Sequence, residues 1–358
     1  MDNLNWNDIL RDIADSRAVL IIGQDFLPHA AETLHLDLYQ KLTATPQHGI
    51  DYFYPQDGFF LFRSNRFKIQ AQRNAADFYK SLQPDAALMQ QIMDLPFRLI
   101  VSVNPDKALE RAFRANNIEP QVGYFTWRPN RKAADLVEPA PDFPIIFNLF
   151  GSVEHYESLV LDYEDLFDHL KKLLNDENVP EVVQTILNET ETYIFLGAKL
   201  EKWYTQLVFR YLNRKENHFD DKNKNYTVRP TFNDAETATF FERQFNVNYF
   251  GITTAFFQEL HQRYAVYAAE MGDDAADMPP LQRLENAISD NKTAVALQIL
   301  TANATDFDSD NRTQLILLKS QYAAYKQRVR KQLALPNELN IEHNQIKHRI
   351  LEFAKTVF

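Results

Sequence analysis

Arg98-Leu-Ile-Val-Ser-Val-Asn-Pro-Asp106 decides how this chain is read. Its apolar run shows no alternation, so a strand there must be covered on both faces. Asn104-Pro-Asp106 ends it on a polar tip, and Pro105 can open a helix reaching to about Asn116, because its fixed φ and missing N–H suit the first helical position. The same arrangement recurs along the chain. Ala18-Val-Leu-Ile-Ile22 follows an amphipathic helix around Trp6 to Ile13 and stops at Gly23. Ile145-Ile-Phe-Asn-Leu149 stops at Gly151, and Tyr193-Ile-Phe-Leu196 stops at Gly197, before an aromatic-rich helix from Glu201 to about Arg214. Val247 to Phe250 lies between helices expected to start near Asp234 and Thr254. Apolar strands separated by helices predict an α/β fold, a doubly wound parallel sheet.

Two stretches depart from this rhythm. Asp37 to Asn74 carries Tyr52-Phe53-Tyr54 and Phe59-Phe60-Leu61-Phe62 and reads as an inserted helical or irregular cap. Met271 to Pro280 is acidic, rich in small residues and ends in Pro279-Pro280, which predicts a linker. Beyond it, Leu281 to Ile288, Lys292 to Leu300, Asn311 to Leu333 and Leu339 to Val357 read as four helices. In the third, Leu318, Tyr322, Tyr325 and Val329 form one stripe. The expected organisation is a nucleotide-binding-type unit over 1–266, a linker over 267–280 and a small all-α unit over 281–358.

Composition narrows the function classes. The 358 residues are 45% hydrophobic and 24% charged, ordinary for a globular protein. There are no cysteines, which excludes disulfides and thiolate metal sites. The polar, acidic start Met1 to Asp8 and apolar runs of about five residues predict neither a signal sequence nor a membrane span, so a cytoplasmic location is expected. A net charge of −11 argues against non-specific nucleic-acid binding. Eleven Lys and Arg against eight Asp and Glu give residues 281–358 a net +3, leaving −14 for the remainder.

In a doubly wound sheet, ligands bind beyond the carboxyl ends of the strands. Those ends carry Gly23-Gln24-Asp25, Asn104-Pro-Asp106, Phe150-Gly151-Ser152 and Gly197-Ala198-Lys199. Gly23 permits a tight turn and the approach of a phosphate to backbone amides, although one glycine is a weak phosphate-loop pattern. Asn104 and Asp106 could bind ribose hydroxyls and an amide, or cap the following helix. Ser152 has no nucleophile-elbow context and reads as a turn residue. Asp162, Glu164, Asp165 and Asp168 read as a solvated helix start. Lys326, Arg328, Arg330 and Lys331 read as a solvated or partner-facing basic patch. The nine histidines show no metal-ligand spacing, so no metal is expected.

Taken in order, these tips resemble the sirtuin-like domain family of prokaryotic conflict systems. Ala18 to Gly23 is similar to its first strand and loop, Leu99 to Asp106 to its N-x-D tip, Phe147 to Ser152 to its L-H-G-S segment, and Ile194 to Leu200 to its late G-x-S strand. The C-terminal helices resemble the effector-associated domains, bundles that recruit a partner carrying a similar bundle. The resemblance implies a Rossmann-like fold with NAD, or an ADP-ribose-type ligand, bound across the strand ends. Gly23, Gln24 and Asp25 would lie near the pyrophosphate, Asn104 and Asp106 at the nicotinamide ribose and carboxamide, and Gly197 and Ala198 on the adenosine side. Phe150 stands where the family has histidine, and a phenyl ring cannot accept a proton, so His155 is a candidate replacement. Three functions follow as expectations: a degenerate NAD-binding signalling protein of antiviral defence, an NAD glycohydrolase active after assembly, or an oligomerising scaffold. A protein partner for the bundle and a homo-oligomer are also expected.

Overall fold

The computed structural model describes residues 4–28, 30–128, 135–140, 143–198, 200, 202–213, 223–228, 235–276, 278–330 and 336–358. Seven parallel strands form the central sheet: β1 (Ala18–Ile22), β4 (Leu99–Ser102), β5 (Gln121–Tyr124), β6 (Ile145–Asn148), β7 (Thr192–Leu196), β8 (Lys224–Val228) and β9 (Val247–Phe250), in the order β5-β6-β4-β1-β7-β8-β9. The α/β, doubly wound reading holds. From β1 the chain lays β4 beside it, β5 at the edge and β6 between those two, then crosses to lay β7, β8 and β9 on the other side. The order therefore switches between β1 and β7, and a crevice opens at the tips where the flanking connections diverge.

Alternation along the strands fills both faces. Ala18, Leu20 and Ile22 of β1 join one apolar cluster, with α1 (Trp6–Ala14), α3 (Asn65–Ser81), α4 (Ala86–Met93), α5 (Ala108–Ala115) and α10 (Thr253–Ala276). Val19 and Ile21 join the other, with α6 (Tyr163–Leu174), α7 (Glu181–Glu189), α8 (Trp203–Leu212) and α9 (Ala235–Phe245). Two strands escape the apolar pattern. In β5, Gln121-Val-Gly-Tyr lies at the sheet edge and is only alternately buried. In β8, Asn225 is fully buried and its side-chain amide N–H groups donate to Asn213 Oδ1 and the Phe245 carbonyl, so an interior strand is written in polar residues.

The expected irregular cap is α2 (Leu34–Leu42), an antiparallel hairpin of β2 (Ile50–Tyr54) and β3 (Phe59–Phe62), and then α3. Its aromatic residues form strands because Phe53 and Phe60 stack against each other and on Tyr39 of α2. The expected linker is helical over most of its length, since α10 continues to Ala276. Met271, Ala275 and Ala276 are good helix formers, Gly272 and the two aspartates poor ones, and only 277–279 separate α10 from the next helix.

The C-terminal bundle comprises α11 (Pro280–Ser289), α12 (Thr293–Ala302), α13 (Ser309–Arg330) and α14 (Pro336–Val357). The Leu318–Val329 stripe is buried in its core. That core also takes in Val137, Ala140 and Phe143 from the segment entering β6. Gln121 ties this segment to the start of β5 through both backbone groups of Val137, at 2.8 and 3.0 Å, and Asn291 donates to the Pro139 carbonyl at 2.7 Å. The bundle thus docks at the N-terminal end of β5 and β6, opposite the strand tips. In the basic patch, Arg328 pairs with Glu342 and Lys326 lies over the Tyr322 ring. The Arg330 side chain and Lys331 lie outside the described residues. No described helix is long and apolar enough to cross a membrane.

Candidate functional site

Three strand-end loops meet at the switch point, and they grip one another. Gly23 N–H donates to the Leu196 carbonyl at 2.6 Å, and Asp25 N–H to that of Gly197 at 3.0 Å. A Cβ on Gly23 would stand 2.2 Å from the Gly197 oxygen, so the missing side chain admits the protein's own backbone. This corrects the expectation that Gly23 leaves room for a phosphate. Gly197 adopts φ +65°, and a Cβ there would meet the Phe26 nitrogen at 2.5 Å. The Asp25 side chain is exposed and does not block the crevice.

Asn104 is buried and fixed on three sides. Its backbone N–H donates to Ser102 Oγ, which in turn donates to the Asn104 carbonyl, and its side-chain amide donates to the Gly23 carbonyl at 2.8 Å. Asp106 takes the other role open to it. Its carboxylate accepts from Ala108 N–H at 2.6 Å and caps α5, which begins at Ala108 rather than at Pro105. Burial pushes its carboxyl up, against the opposing pull of that N–H and of Arg111. Asn148 donates to the Asp106 backbone carbonyl.

Phe150 reaches the crevice, with its ring stacked on His169 at 4.5 Å and edge-on to Tyr204 at 6.3 Å. Gly151, at φ +93°, turns the chain so closely past Ser158 that a Cβ would meet the Ser158 oxygen at 2.3 Å. Ser152 stays in that turn, taking Ser158 Oγ on its N–H at 2.9 Å, and its hydroxyl accepts from Glu154 N–H. His155 is not brought in: its ring stacks on Tyr124 of the edge strand at 5.1 Å.

Two small cavities lie at these tips among the described residues. One cavity of about 30 Å³ is bordered by Gln24, His35, Tyr79, Asn104, Phe150 and Tyr204. A second, of about 20 Å³, is bordered by Gln24, Phe150, Phe195, Ala198 and Tyr204. Each holds a water or two, whereas sites for small ligands span several hundred cubic ångströms. Among the described residues, neither of these two cavities takes a dinucleotide as it stands.

The closure comes from residues that motif reading passes over. The turn of the β2–β3 hairpin covers the tips through Asp57, whose carbonyl accepts from Lys202 Nζ at 3.1 Å and Tyr204 OH at 3.0 Å, and whose carboxylate accepts from Tyr163 OH. Lys202 also reaches Gln24 Oε1 and His35 Nδ1, at 3.3 and 3.4 Å. His35 sits under Gly58, where a Cβ would be 2.2 Å from its ring. Burial raises the Tyr204 and Tyr163 hydroxyls above the ordinary tyrosine range. These residues come from the cap and from loops with no motif spacing, so only the folded chain brings them together. The acidic stretch is a helix start, as expected, but of its carboxylates only Glu164 and Asp168 are exposed. Asp162 caps α6, and both Asp162 and the buried Asp165 pair with Lys68 of α3, at 2.6 and 2.8 Å. Burial first, and Asp162 second, raise the Asp165 carboxyl to about 6.

Residues 98–250 match the SIR2-like domain, and residues 279–358 match effector-associated domain 11. The chain carries a SIR2-like domain joined to an effector-associated domain. The first match covers the sheet from β4 to β9, so β1 and the cap that closes the SIR2-like crevice lie before it. The second covers the four-helix bundle. No curated protein matches the chain. Among the described residues, no group of His, Asp and Glu could hold a metal ion.

Proposed function

We propose that the chain is a nucleotide-binding protein of a prokaryotic antiviral defence system. It would take NAD or an ADP-ribose-type ligand at the strand tips and report that state to a protein partner through its bundle. One observation carries this reading: Gln24, Asn104, Phe150 and Ala198, far apart in sequence, border the cavities at the sheet's switch point. The domain families support its coarser half. A SIR2-like domain points to a ligand related to NAD, and an effector-associated domain to contact with another protein. Phe150 has no ionisable atom, so we read the site as degenerate, built to bind rather than to turn over rapidly. Because the cavities are tens of cubic ångströms, entry requires the hairpin turn to withdraw.

The division into 1–266, 267–280 and 281–358 belongs to this proposal, with α10 as a helical connection. A groove of about 1050 Å³ between α12, α13 and Phe143, lined also by Leu297, Tyr322, Ala323 and Lys326, is where the partner would dock. We also propose that the protein is cytoplasmic and works as a homo-oligomer.

A second reading, hydrolysis of NAD, has one observation in its favour. His35 borders the same cavity as Asn104, so an imidazole faces the site although position 150 offers none. Calorimetry of the full chain with NAD, ADP-ribose and cyclic ADP-ribose tests the first reading, which expects saturable binding of at least one. Binding of none removes it. Nicotinamide release that Asn104→Ala abolishes would move the assignment to the second.

A further inference from the structure

The contacts on Asp57 are dense for a surface turn. A hairpin needs only its own ladder and one packed face, and here that face is supplied by Phe59 and Phe60, both buried. The opposite face of the hairpin is open to solvent, with Tyr52 and Leu61 about half exposed and Pro55 and Gln56 exposed at the turn. At Asp57 alone, donors arrive from two distant segments. Tyr163 comes from the first residue of α6, while Lys202 and Tyr204 come from the start of α8. Behind them stand Gln24, on the loop after β1, and His35, which is nine-tenths buried.

Lys202 Nζ and Tyr204 OH donate to the Asp57 backbone carbonyl and Tyr163 OH to its carboxylate, and one ammonium with two hydroxyls is also a donor set that a phosphate takes. This set lies at the switch point, beside the loop after β1, where a nucleotide would carry its phosphates. We propose that Asp57 is a resident occupant of an anion-binding site, held by Lys202, Tyr204 and Tyr163 until the phosphate of an incoming nucleotide displaces it. This rests on the nucleotide-binding reading and gives it a regulatory step. The moving part is short. Phe59 and Phe60 anchor the hairpin, and Phe60 N–H holds the Leu161 carbonyl at 2.9 Å, so residues 55–58 swing while the strands stay packed. Gly58, at φ +86°, supplies the backbone freedom at the hinge.

The test titrates inorganic pyrophosphate and ADP-ribose, separately, into the full chain and into Asp57→Ala, Asp57→Asn and Lys202→Met. Asp57→Asn removes the charge while keeping a turn-forming residue, so it reports even if the alanine variant folds poorly. Both Asp57 variants keep the carbonyl that Lys202 and Tyr204 hold and lose the bond from Tyr163 to a charged carboxylate, which corresponds to about tenfold or more. Both Asp57 variants should therefore bind pyrophosphate and ADP-ribose about tenfold more tightly than the parent chain, and Lys202→Met should bind both about tenfold more weakly. Pyrophosphate binding that follows this pattern, without any binding of ADP-ribose, would support the anion site and refute the nucleotide reading. ADP-ribose affinity indifferent to both positions would overturn the occupant proposal and leave the nucleotide reading in place. Binding of neither probe to any variant overturns both.

Discussion

Gly23 and Gly197 pack backbone against backbone at the tips of β1 and β7, so closely that a Cβ on Gly23 would fall 2.2 Å from the Gly197 carbonyl oxygen. The loops that follow two neighbouring parallel strands are thereby joined at the place where a doubly wound sheet opens its crevice. Gly23 has φ −94°, which any residue can adopt, so its requirement is purely one of space.

Gly23→Ala should consequently destabilise the protein by at least about 1–3 kcal/mol, the range for forcing an extra methyl into a packed interior. Denaturant unfolding measures it. A change below about 0.5 kcal/mol would mean that the two loops part easily.

Asn104 and Asp106 separate into a site residue and a capping residue. Asn104→Ala leaves the buried Gly23 carbonyl without its 2.8 Å donor and should cost about 1–3 kcal/mol. It should also weaken ADP-ribose binding at least about tenfold. Asp106→Ala should cost about 1 kcal/mol through the lost cap on Ala108, with ADP-ribose affinity changed less than about threefold. Calorimetry and thermal melting on the two variants distinguish these roles.

His169 predicts an acid-sensitive fold. Neither ring nitrogen has a hydrogen-bond partner among the described residues, and the imidazole is enclosed by Phe125, Trp127 and Phe150. Burial pushes its pKa down from 6.5 to about 3. Between those values the unfolded chain binds the proton more strongly than the folded one. The stability contributed by the neutral ring is thus complete above pH 6.5 and is lost as pH falls towards 3, by at most about 1.4 kcal/mol per pH unit. His169→Phe should lose less stability than the parent between pH 6.5 and 4.5 in denaturant melts.

Lys68 holds the cap to the body. Lys68→Met strands two carboxylates, Asp162 and Asp165, in a largely buried place and should cost about 3–5 kcal/mol at pH 7. Because the Asp165 carboxyl is raised to about 6, it is largely protonated at pH 4.5, and the penalty should shrink there. Unfolding midpoints at the two pH values check the sign.

The sheet was legible in the sequence because its central strands are covered on both faces and so are written as unbroken apolar runs, as in Leu99-Ile-Val and Ala18 to Ile22. Its polar strand β8 was not, since Asn225 is buried by virtue of hydrogen bonds that only the fold provides. The four bundle helices follow from their buried stripe. At the site, the strand tips carried enough pattern to single out Asn104 and Phe150. His35, Asp57, Lys202 and Tyr163 carried none, because their meeting depends on a hairpin laid across the crevice from a distant part of the chain. His155 misled because nearness in sequence to Phe150 does not place it in the crevice, and its ring turns to Tyr124 instead.

Amide hydrogen exchange of the full chain with and without saturating ADP-ribose tests the central claim most directly. The account predicts slower exchange at residues 23–25, 103–104 and 197–198 together with faster exchange at 56–58, as ligand takes the place of the turn. Slowing confined to the C-terminal bundle, or no change at the strand tips under conditions where binding is measurable, would contradict it.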